Sequence, residues 1–319
     1  MPTHHQLHSS PETVHWGYFD AALPPVLTVA SGDTVTLHCV SGAPEDMPGP
    51  PFEVLPELRE IHERIKPRMR GHILTGPVAV QGAMPGDMLE VRVREVNLRQ
   101  DWGYNVQRPL LGTLPEDFPH LRRMHIPIDR ARHEAVMPWG TRLPLAPFFG
   151  IMGVAPPPHY GAQSSIEPRE YGGNIDLKEL VPGSSLFLPV WAEGALFSAG
   201  DGHGLQGDGE VCLTALETSL SGSFELVLHK NAGLRFPRAL TPTHYIALGL
   251  DADLDDAAKQ ALRQMIQWIG ELTDLPAADA YTLCSLACDL RVTQLVDGNK
   301  GIHAMLPRTA LPGARAYPA

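Results

Sequence analysis

Proline and glycine interrupt this chain at short intervals from one end to the other. The 319 residues include 31 prolines and 30 glycines, which are spread without a repeat period. Proline breaks helices and glycine favours turns, so this distribution predicts many short strands joined by turns. The length is sufficient to bury a large core, and no change in composition marks a boundary. We therefore expect one domain over residues 1–319.

The charge and cysteine content exclude several classes of protein. The formal net charge is -11, from 36 acidic and 25 basic residues, which argues against binding to nucleic acid or to a membrane surface. Four widely spaced cysteines form no CxxC pair, so neither a disulfide framework nor a structural zinc knuckle is indicated. Because the N-terminus has no apolar run of signal-peptide length, we expect a cytoplasmic location without a membrane span.

Apolar periodicity predicts strands over the first two thirds of the chain. From Met88 to Val96, apolar and charged residues alternate, which predicts a strand with one solvent-exposed face. Further strands are expected within residues 26–40, 185–190, 210–218 and 223–228. Ser221-Gly222 is interpreted as the clearest turn. The proline-rich stretch 138–161 is predicted to be an ordered loop that walls a pocket.

Helical spacing occurs mainly in the last third. Apolar residues recur at intervals of three and four over 255–272, and a second helix is expected over 277–290, after Pro276. An earlier helix is predicted over 54–65. Strands followed by helices indicate an α+β fold, a β-rich scaffold of stacked sheets with its helices concentrated at the C-terminal end.

One acidic, glycine-rich run, residues 200–210, carries most of the candidate chemistry. Four carboxylates and one imidazole lie within 17 residues of each other: Asp201, His203, Asp208, Glu210 and Glu217. Carboxylate oxygens and neutral imidazole nitrogens are the usual ligands of catalytic zinc. In an extended segment Asp201 and His203 project to the same face, because the side-chain period of a strand is two residues. The alternative is that Asp-Gly pairs form solvent turns and that Glu217 marks the exposed end of a strand.

Other polar residues are weaker candidates. Asn174 and Asp176 could shape a pocket or orient a ligand, although a turn in which Asp176 caps a helix is the favoured interpretation. His15 and His72 are isolated histidines, which are more often packed or exposed than functional. No Gly-x-Ser-x-Gly motif is present, and each cysteine lies in an apolar setting, so metal-activated water is the favoured hydrolytic mechanism.

The acidic run is part of a longer pattern that resembles a known family. Read with Gly194-Ala195-Leu196-Phe197-Ser198 before it and Thr214-Ala215-Leu216-Glu217 after it, the run is similar to the signature of the acetamidase/formamidase family. Segments within 75–87, 150–156, 172–176, 279–281 and 289–294 agree in the same order. The chain departs from that pattern at Gly204 and Leu205, where many members carry alanine, so Leu205 is expected to alter the size of the pocket.

The resemblance implies a single-domain catalytic subunit, commonly oligomeric, that hydrolyses small amides to a carboxylate and ammonia with a divalent metal, for which zinc is the expected ion. Asp201, His203 and either Glu217 or Glu210 are then the expected ligands. Asp208 or Glu210 is the expected proton acceptor.

Two further residues and two alternatives complete the prediction. Asn174 is expected to donate a hydrogen bond to the substrate, and His72 is held in reserve as a ligand or base. We expect a homo-oligomer, with calcium as an additional candidate metal. The alternatives are a hydrolase of cyclic amides and a non-catalytic, metal-stabilised protein that binds small molecules.

Overall fold

The structure is a computed structural model that describes residues 2–318. Within this range the α-helices are α1 (Pro56–Arg64), α2 (Leu254–Thr273) and α3 (Ala277–Ala287). Short 3-10 helices span Pro44–Asp46, Pro158–Tyr160 and Arg308–Ala310. The strands are β1 (His4–His8), β2 (Val14–Trp16), β3 (Tyr18–Phe19), β4 (Leu27–Val29), β5 (Thr34–His38), β6 (Ile73–Val80), β7 (Met88–Leu98), β8 (Trp102–Gln107), β9 (Arg122–Asp129), β10 (Glu134–Val136), β11 (Arg142–Pro144), β12 (Phe148–Gly153), β13 (Gln163–Ser164), β14 (Gly172–Asn174), β15 (Ser185–Pro189), β16 (Phe197–His203), β17 (Leu220–His229), β18 (Arg238–Leu240), β19 (His244–Asp251), β20 (Asp289–Gln294) and β21 (Lys300–Pro307).

Two large sheets form the scaffold. The nine-stranded sheet has the order β1-β5-β17-β7-β15-β18-β19-β21-β20. The six-stranded sheet runs β14-β12-β16-β6-β2, and β4 also pairs with β6. A four-stranded sheet, β11-β10-β9-β8, and the pair β13-β3 complete the β structure. The predicted α+β class is confirmed, because strands dominate the chain and two of the three α-helices among residues 2–318 lie in its last third.

The main core lies between the two large sheets. Its members come from β5, β7, β15 and β17 of the larger sheet and from β6, β12 and β16 of the smaller one. A second core forms where α2 and α3 cover β19 and β21. A third packs α1 against β8 through Leu58, Ile61 and Trp102. The six-stranded sheet is therefore held between the main core and the segments around α1.

The predicted helices are confirmed, with one change at an end. In α2 the residues Ala261, Met265 and Ile269 are buried, as their spacing indicated. Asp253 caps this helix by accepting hydrogen bonds from the backbone N–H groups of residues 255 and 256. The last helix ends at Ala287, and the chain continues directly into β20, so the expected extension to residue 290 is wrong.

Three strand-level expectations are wrong for identifiable reasons. Residues 210–218 form an irregular loop, in which Glu210 and Leu213 have positive φ values of 47° and 107°, outside the extended region of a regular strand. Ser221-Gly222 lies inside β17, where glycine is needed because a Cβ at Gly222 would lie 2.5 Å from the rings of Phe149 and Phe224. Within the expected 138–161 loop, residues 148–153 form the buried strand β12.

The alternation along β7 overstates the exposure of its charged face. Glu90 is buried, and it accepts hydrogen bonds from Arg92 and from Ser185 and pairs with His229. A buried carboxylate is tolerated when such partners replace its hydration.

No helix within residues 2–318 has the length and hydropathy that crossing a bilayer requires.

Candidate active site

Strand β16 brings two of the expected ligands to one point. It lies between β12 and β6 and brings Asp201 and His203 together at its end, although Asp201 has a positive φ of 56° and so departs from the regular extended conformation that the two-residue period assumes. His203 Nε2 lies 3.2 Å from Asp201 Oδ2 and 3.4 Å from Glu217 Oε1. Glu217 reaches this point through isolated β-bridges to His203 and to Tyr104. All three side chains are buried, and each offers an atom within 4.8 Å of the others, a spacing that can hold a metal ion.

Glycines around this group allow the backbones to approach very closely. A Cβ at Gly200 would lie 2.4 Å from the carbonyl oxygen of Ile73, and one at Gly202 would lie 2.4 Å from that of Thr218. At Gly150 a Cβ would lie 2.5 Å from Asp176 Oδ1. Gly200, Gly202 and Gly150 are therefore required by packing, because a side chain there would displace a neighbouring strand or an acidic group, whereas Gly207 has no atom within 4 Å of an added Cβ.

Gln206 determines which nitrogen of His203 is free. Its side-chain Nε2 donates to the backbone carbonyls of Asp176 and Thr293, at 3.1 and 3.4 Å. Its Oε1 must then face His203 Nδ1, which lies 2.9 Å away, and an amide oxygen can only accept a hydrogen bond. In the neutral imidazole, Nδ1 therefore carries the hydrogen and Nε2 keeps its lone pair towards Asp201 and Glu217.

A second acidic group adjoins the first. Asp176, His203 and Glu210 also offer atoms within 4.8 Å of one another, and Asp297 lies beside them. Several buried atoms here have no hydrogen-bond partner among residues 2–318: Asn174 Oδ1, Asp176 Oδ1 and Oδ2, Asp297 Oδ2 and His203 Nε2. Unpaired buried oxygens are costly, so a group that presents several of them together is chemically suited to hold a cation.

Burial disfavours ionisation of the carboxylates in this group. It raises the pKa of Asp176 to about 6 and that of Glu217 to about 8, although the charge of His203 opposes both rises. Burial, together with the charge of Asp176, also holds the pKa values of Glu210 and Asp297 well above the usual range. A buried set of carboxylates therefore needs protons or a cation to compensate its mutual repulsion.

The pKa values of Asp201 and His203 shift in directions that favour the charged forms, unlike those of the carboxylates above. Burial opposes ionisation of Asp201, but His72 and His203 hold its pKa below the usual range. Burial opposes protonation of His203, yet Glu217 and Asp201 raise its pKa well above the usual range. The position between Asp201 and Glu217 thus attracts positive charge, and a divalent cation would compete there with the imidazole proton.

These residues lie at the base of a pocket of about 480 Å³. Asn174, Asp201, Glu210 and Glu217 line it from the sheet side, together with Tyr104 and Asp297. His72 also lines it, with Nε2 3.9 Å from Asp201 Oδ1. Six of the seven site residues expected from the sequence therefore meet at or beside this base.

Asp208 is the exception. Its carboxylate pairs with Lys178 at 2.7 Å and with Arg291 at 2.5 Å, away from the pocket lining. Leu205, which was expected to alter the pocket, instead packs against the main core. The favoured interpretation of Asp176 was also wrong, because no helix follows it and its buried side chain lies 3.8 Å from His203 Nδ1.

Three site residues were missed from the sequence. Tyr104 and Asp297 come from distant segments, Asp297 from a turn with no motif of its own. Gln206 belongs to the signature-like run, but its role depends on contacts with residues 176 and 293. Only Gln206 therefore carried a signal in the sequence.

His15 is a packed core histidine, as the isolated occurrence suggested. Its Nδ1 contacts the carbonyl of Tyr18 at 2.6 Å and its Nε2 contacts Ser198 Oγ at 2.9 Å. Burial lowers the pKa of His15 to about 4. The folded protein therefore excludes a proton that the unfolded chain binds.

This exclusion predicts a pH dependence of stability. The folded pKa lies below the unfolded value of about 6.5, so the contribution is complete above pH 6.5 and is lost as the pH falls towards 4. For this one group the loss is about 3 kcal/mol. We expect the free energy of unfolding of His15→Gln to decline less over this range than that of the unchanged protein. Urea titrations of both proteins with a chelator present measure this difference, and parallel pH curves would contradict it.

Carboxylates and an imidazole that converge at the base of a pocket in a β-rich scaffold are typical of metal-dependent enzymes. The sequence profile of the acetamidase/formamidase family matches residues 3–163 and 159–311 of this chain. The chain belongs to the acetamidase/formamidase family.

Individual relatives agree with this assignment. An acetamidase of Mycolicibacterium smegmatis is 28% identical over 202 residues, 44% of this chain and 49% of the relative. A formamidase of Methylophilus methylotrophus is 25% identical over 252 residues, 59% of this chain and 61% of the relative. The matches thus span about half to three fifths of these curated relatives. The crystal structure of an acetamidase from Bacillus halodurans has a TM-score of 0.82 and 29% identity, covering 95% of this chain and 97% of that one.

Proposed function

We propose that this chain hydrolyses the C–N bond of small carboxamides to a carboxylate and ammonia, using a zinc ion held by Asp201, His203 and Glu217. The observation that supports this most directly is the position of His203 Nε2, which has no hydrogen-bond partner among residues 2–318 and faces two buried carboxylates at the base of a pocket. The donor set of one imidazole and two carboxylates suits catalytic zinc, which keeps a position open for water. The names of the relatives supply the substrate class.

When bound, zinc would supply Lewis acidity and lower the pKa of a water molecule. The remaining steps belong to residues of this chain. Glu210 is buried against Asp176 and His203 and also lines the pocket, so once a bound cation offsets the repulsion that raises its pKa, it can accept a proton from water and return it to the leaving amine. Asn174, which lines the same wall, would orient the amide group through its side-chain amide.

Metal removal is the first test of the proposal. Treatment with a strong chelator is expected to abolish ammonia release from formamide and acetamide, and zinc is expected to restore it. Elemental analysis of the treated and restored samples gives the metal content. Full activity in a sample shown to be free of metal would exclude the proposed mechanism.

Two alternatives remain distinguishable by the same samples. A preference for lactams over linear amides of equal length would support the hydrolysis of cyclic amides. The all-oxygen set of Asn174, Asp176 and Asp297 suits calcium, which favours the non-catalytic alternative. Calcium alone, with no ammonia released from a broad panel of amides, would support that alternative.

A further inference from the structure

The pocket is larger than the smallest amides require. Formamide and acetamide have only a few non-hydrogen atoms, whereas cavities of about 300–1,000 Å³ generally enclose much larger ligands. This pocket measures about 480 Å³. Its middle wall is largely apolar and includes Trp16, Ile65, Ile73 and Leu111. Such a wall suits a short hydrocarbon chain that extends from the amide at the base.

The mouth of the pocket is positively charged, in contrast to the rest of the chain. Lys66 and Arg70 line it and are exposed, and neither forms an ion pair with any of residues 2–318. Arg108 also lines it, but Arg108 is paired with Asp46 at 3.4 Å and lies 4.0 Å from Glu45, an exposed carboxylate in the same lining. In a chain with a net charge of -11, two unpaired cations at one opening provide a local attraction for an anionic group.

The loop that carries these cations, residues 65–72, is held in place. The indole Nε1 of Trp16 donates to the carbonyl of Gly71 at 3.1 Å, and the backbone N–H of Arg68 donates to the carbonyl of Trp16 at 3.2 Å. The backbone N–H of His72 donates to Ser165 Oγ at 3.0 Å. The same short loop therefore carries His72, which lies beside Asp201, and both cations at the mouth. The distance between the two ends of the pocket is fixed as a result.

We propose that the preferred substrate is the monoamide of a short dicarboxylic acid, whose free carboxylate is held by Lys66 and Arg70. This inference rests on the proposed amide hydrolysis and specifies its substrate class. The amide lies at the acidic base, the methylene groups lie along the apolar wall, and the carboxylate lies at the mouth. Water attacks the amide carbon, the C–N bond breaks, both protons of the water pass to the leaving nitrogen, and the products are a dicarboxylate and an ammonium ion.

The test compares charged and neutral amides of the same length. For the unchanged protein, kcat/KM for glutaramate is expected to exceed that for pentanamide at least about tenfold, since a charge-assisted hydrogen bond is stronger than a neutral one. The double variant Lys66→Gln/Arg70→Gln is expected to lose this preference through a fall of about tenfold in kcat/KM for glutaramate. Arg59→Gln is the matched control, because Arg59 is an exposed cation on α1 outside the pocket lining.

Binding gives a second measurement that does not depend on turnover. Calorimetry should detect tighter binding of glutarate than of pentanoate, with the difference lost in the double variant and kept in Arg59→Gln. Equal rates for glutaramate and pentanamide, or a preference that survives the double substitution, would overturn the substrate assignment but leave amide hydrolysis intact. Absence of turnover with every amide would instead overturn the proposed function, and the calorimetric comparison would still decide whether the mouth binds a carboxylate.

Discussion

Replacement of His203 by alanine is expected to remove the bound zinc and to lower kcat/KM for acetamide by about 1,000-fold or more. The magnitude follows from the several kcal/mol that a catalytic metal contributes to the transition state. Asp201, His203 and Glu217 offer ligand atoms within 4.8 Å of one another, and His203 is the only imidazole in this group among residues 2–318. Its loss leaves two carboxylates whose mutual repulsion opposes retention of a compact site.

The measurements for this variant are zinc content, ammonia release and the circular dichroism spectrum. A retained spectrum separates loss of metal from loss of fold. Gln206→Leu provides a graded comparison, because it removes only the acceptor that fixes the imidazole, and such changes typically cost 10–100-fold in metal affinity or activity. His203→Ala protein that keeps both zinc and turnover would show that the ligand assignment is incorrect.

Substitution of Glu210 by glutamine is expected to lower kcat by about 100- to 10,000-fold while zinc remains bound. The range is that of general acid–base catalysis by one positioned group. Glutamine preserves the size of the side chain but cannot accept and return the proton. Glu210 lines the pocket beside Asp176 and His203, so the effect should appear in kcat for every amide tested.

Asp208→Asn is the matched control for this substitution. It makes the same chemical change two residues away, at a carboxylate that pairs with Lys178 and Arg291 outside the pocket. We expect its kcat to stay within a few-fold of the unchanged protein. If Asp208→Asn is the more damaging variant, the proton acceptor proposed here is the wrong one.

Local spacing predicted the parts of the site that lie on one strand. Asp201 and His203 meet at the end of β16, where Asp201 has a positive φ of 56°, and the neighbouring Gly200 and Gly202 are closely packed. Glu217 was a candidate from its residue type and from its place in the signature-like Thr214-Ala215-Leu216-Glu217 segment, and its position depends on bridges to His203 and Tyr104. Asp176 and Asp297 join from separate segments, and sequence spacing carries no information about such distances.

The errors in the fold have a similar origin. Residues 210–218 have a strand-like composition, but the positive φ values at Glu210 and Leu213 arise from the turn that delivers Glu210 to the pocket. Ser221-Gly222 has the composition of a turn, yet Gly222 is selected by contact with Phe149 and Phe224 from other strands. Tertiary packing overrides local preference at both places.

Homo-oligomerisation and cytoplasmic location stay predictions from the sequence.

The close packing of β16 has a consequence for how this chain could diversify. Gly200 and Gly202 leave no room for a side chain, so substitutions on the ligand-bearing strand would be removed by selection before they could alter substrate range. The 65–72 loop lies at the surface, and Lys66 and Arg70 there are exposed, so exchanges at those positions cost little stability. Duplicated copies of such a gene could therefore acquire new substrates through the loop while inheriting the same bond-cleaving centre.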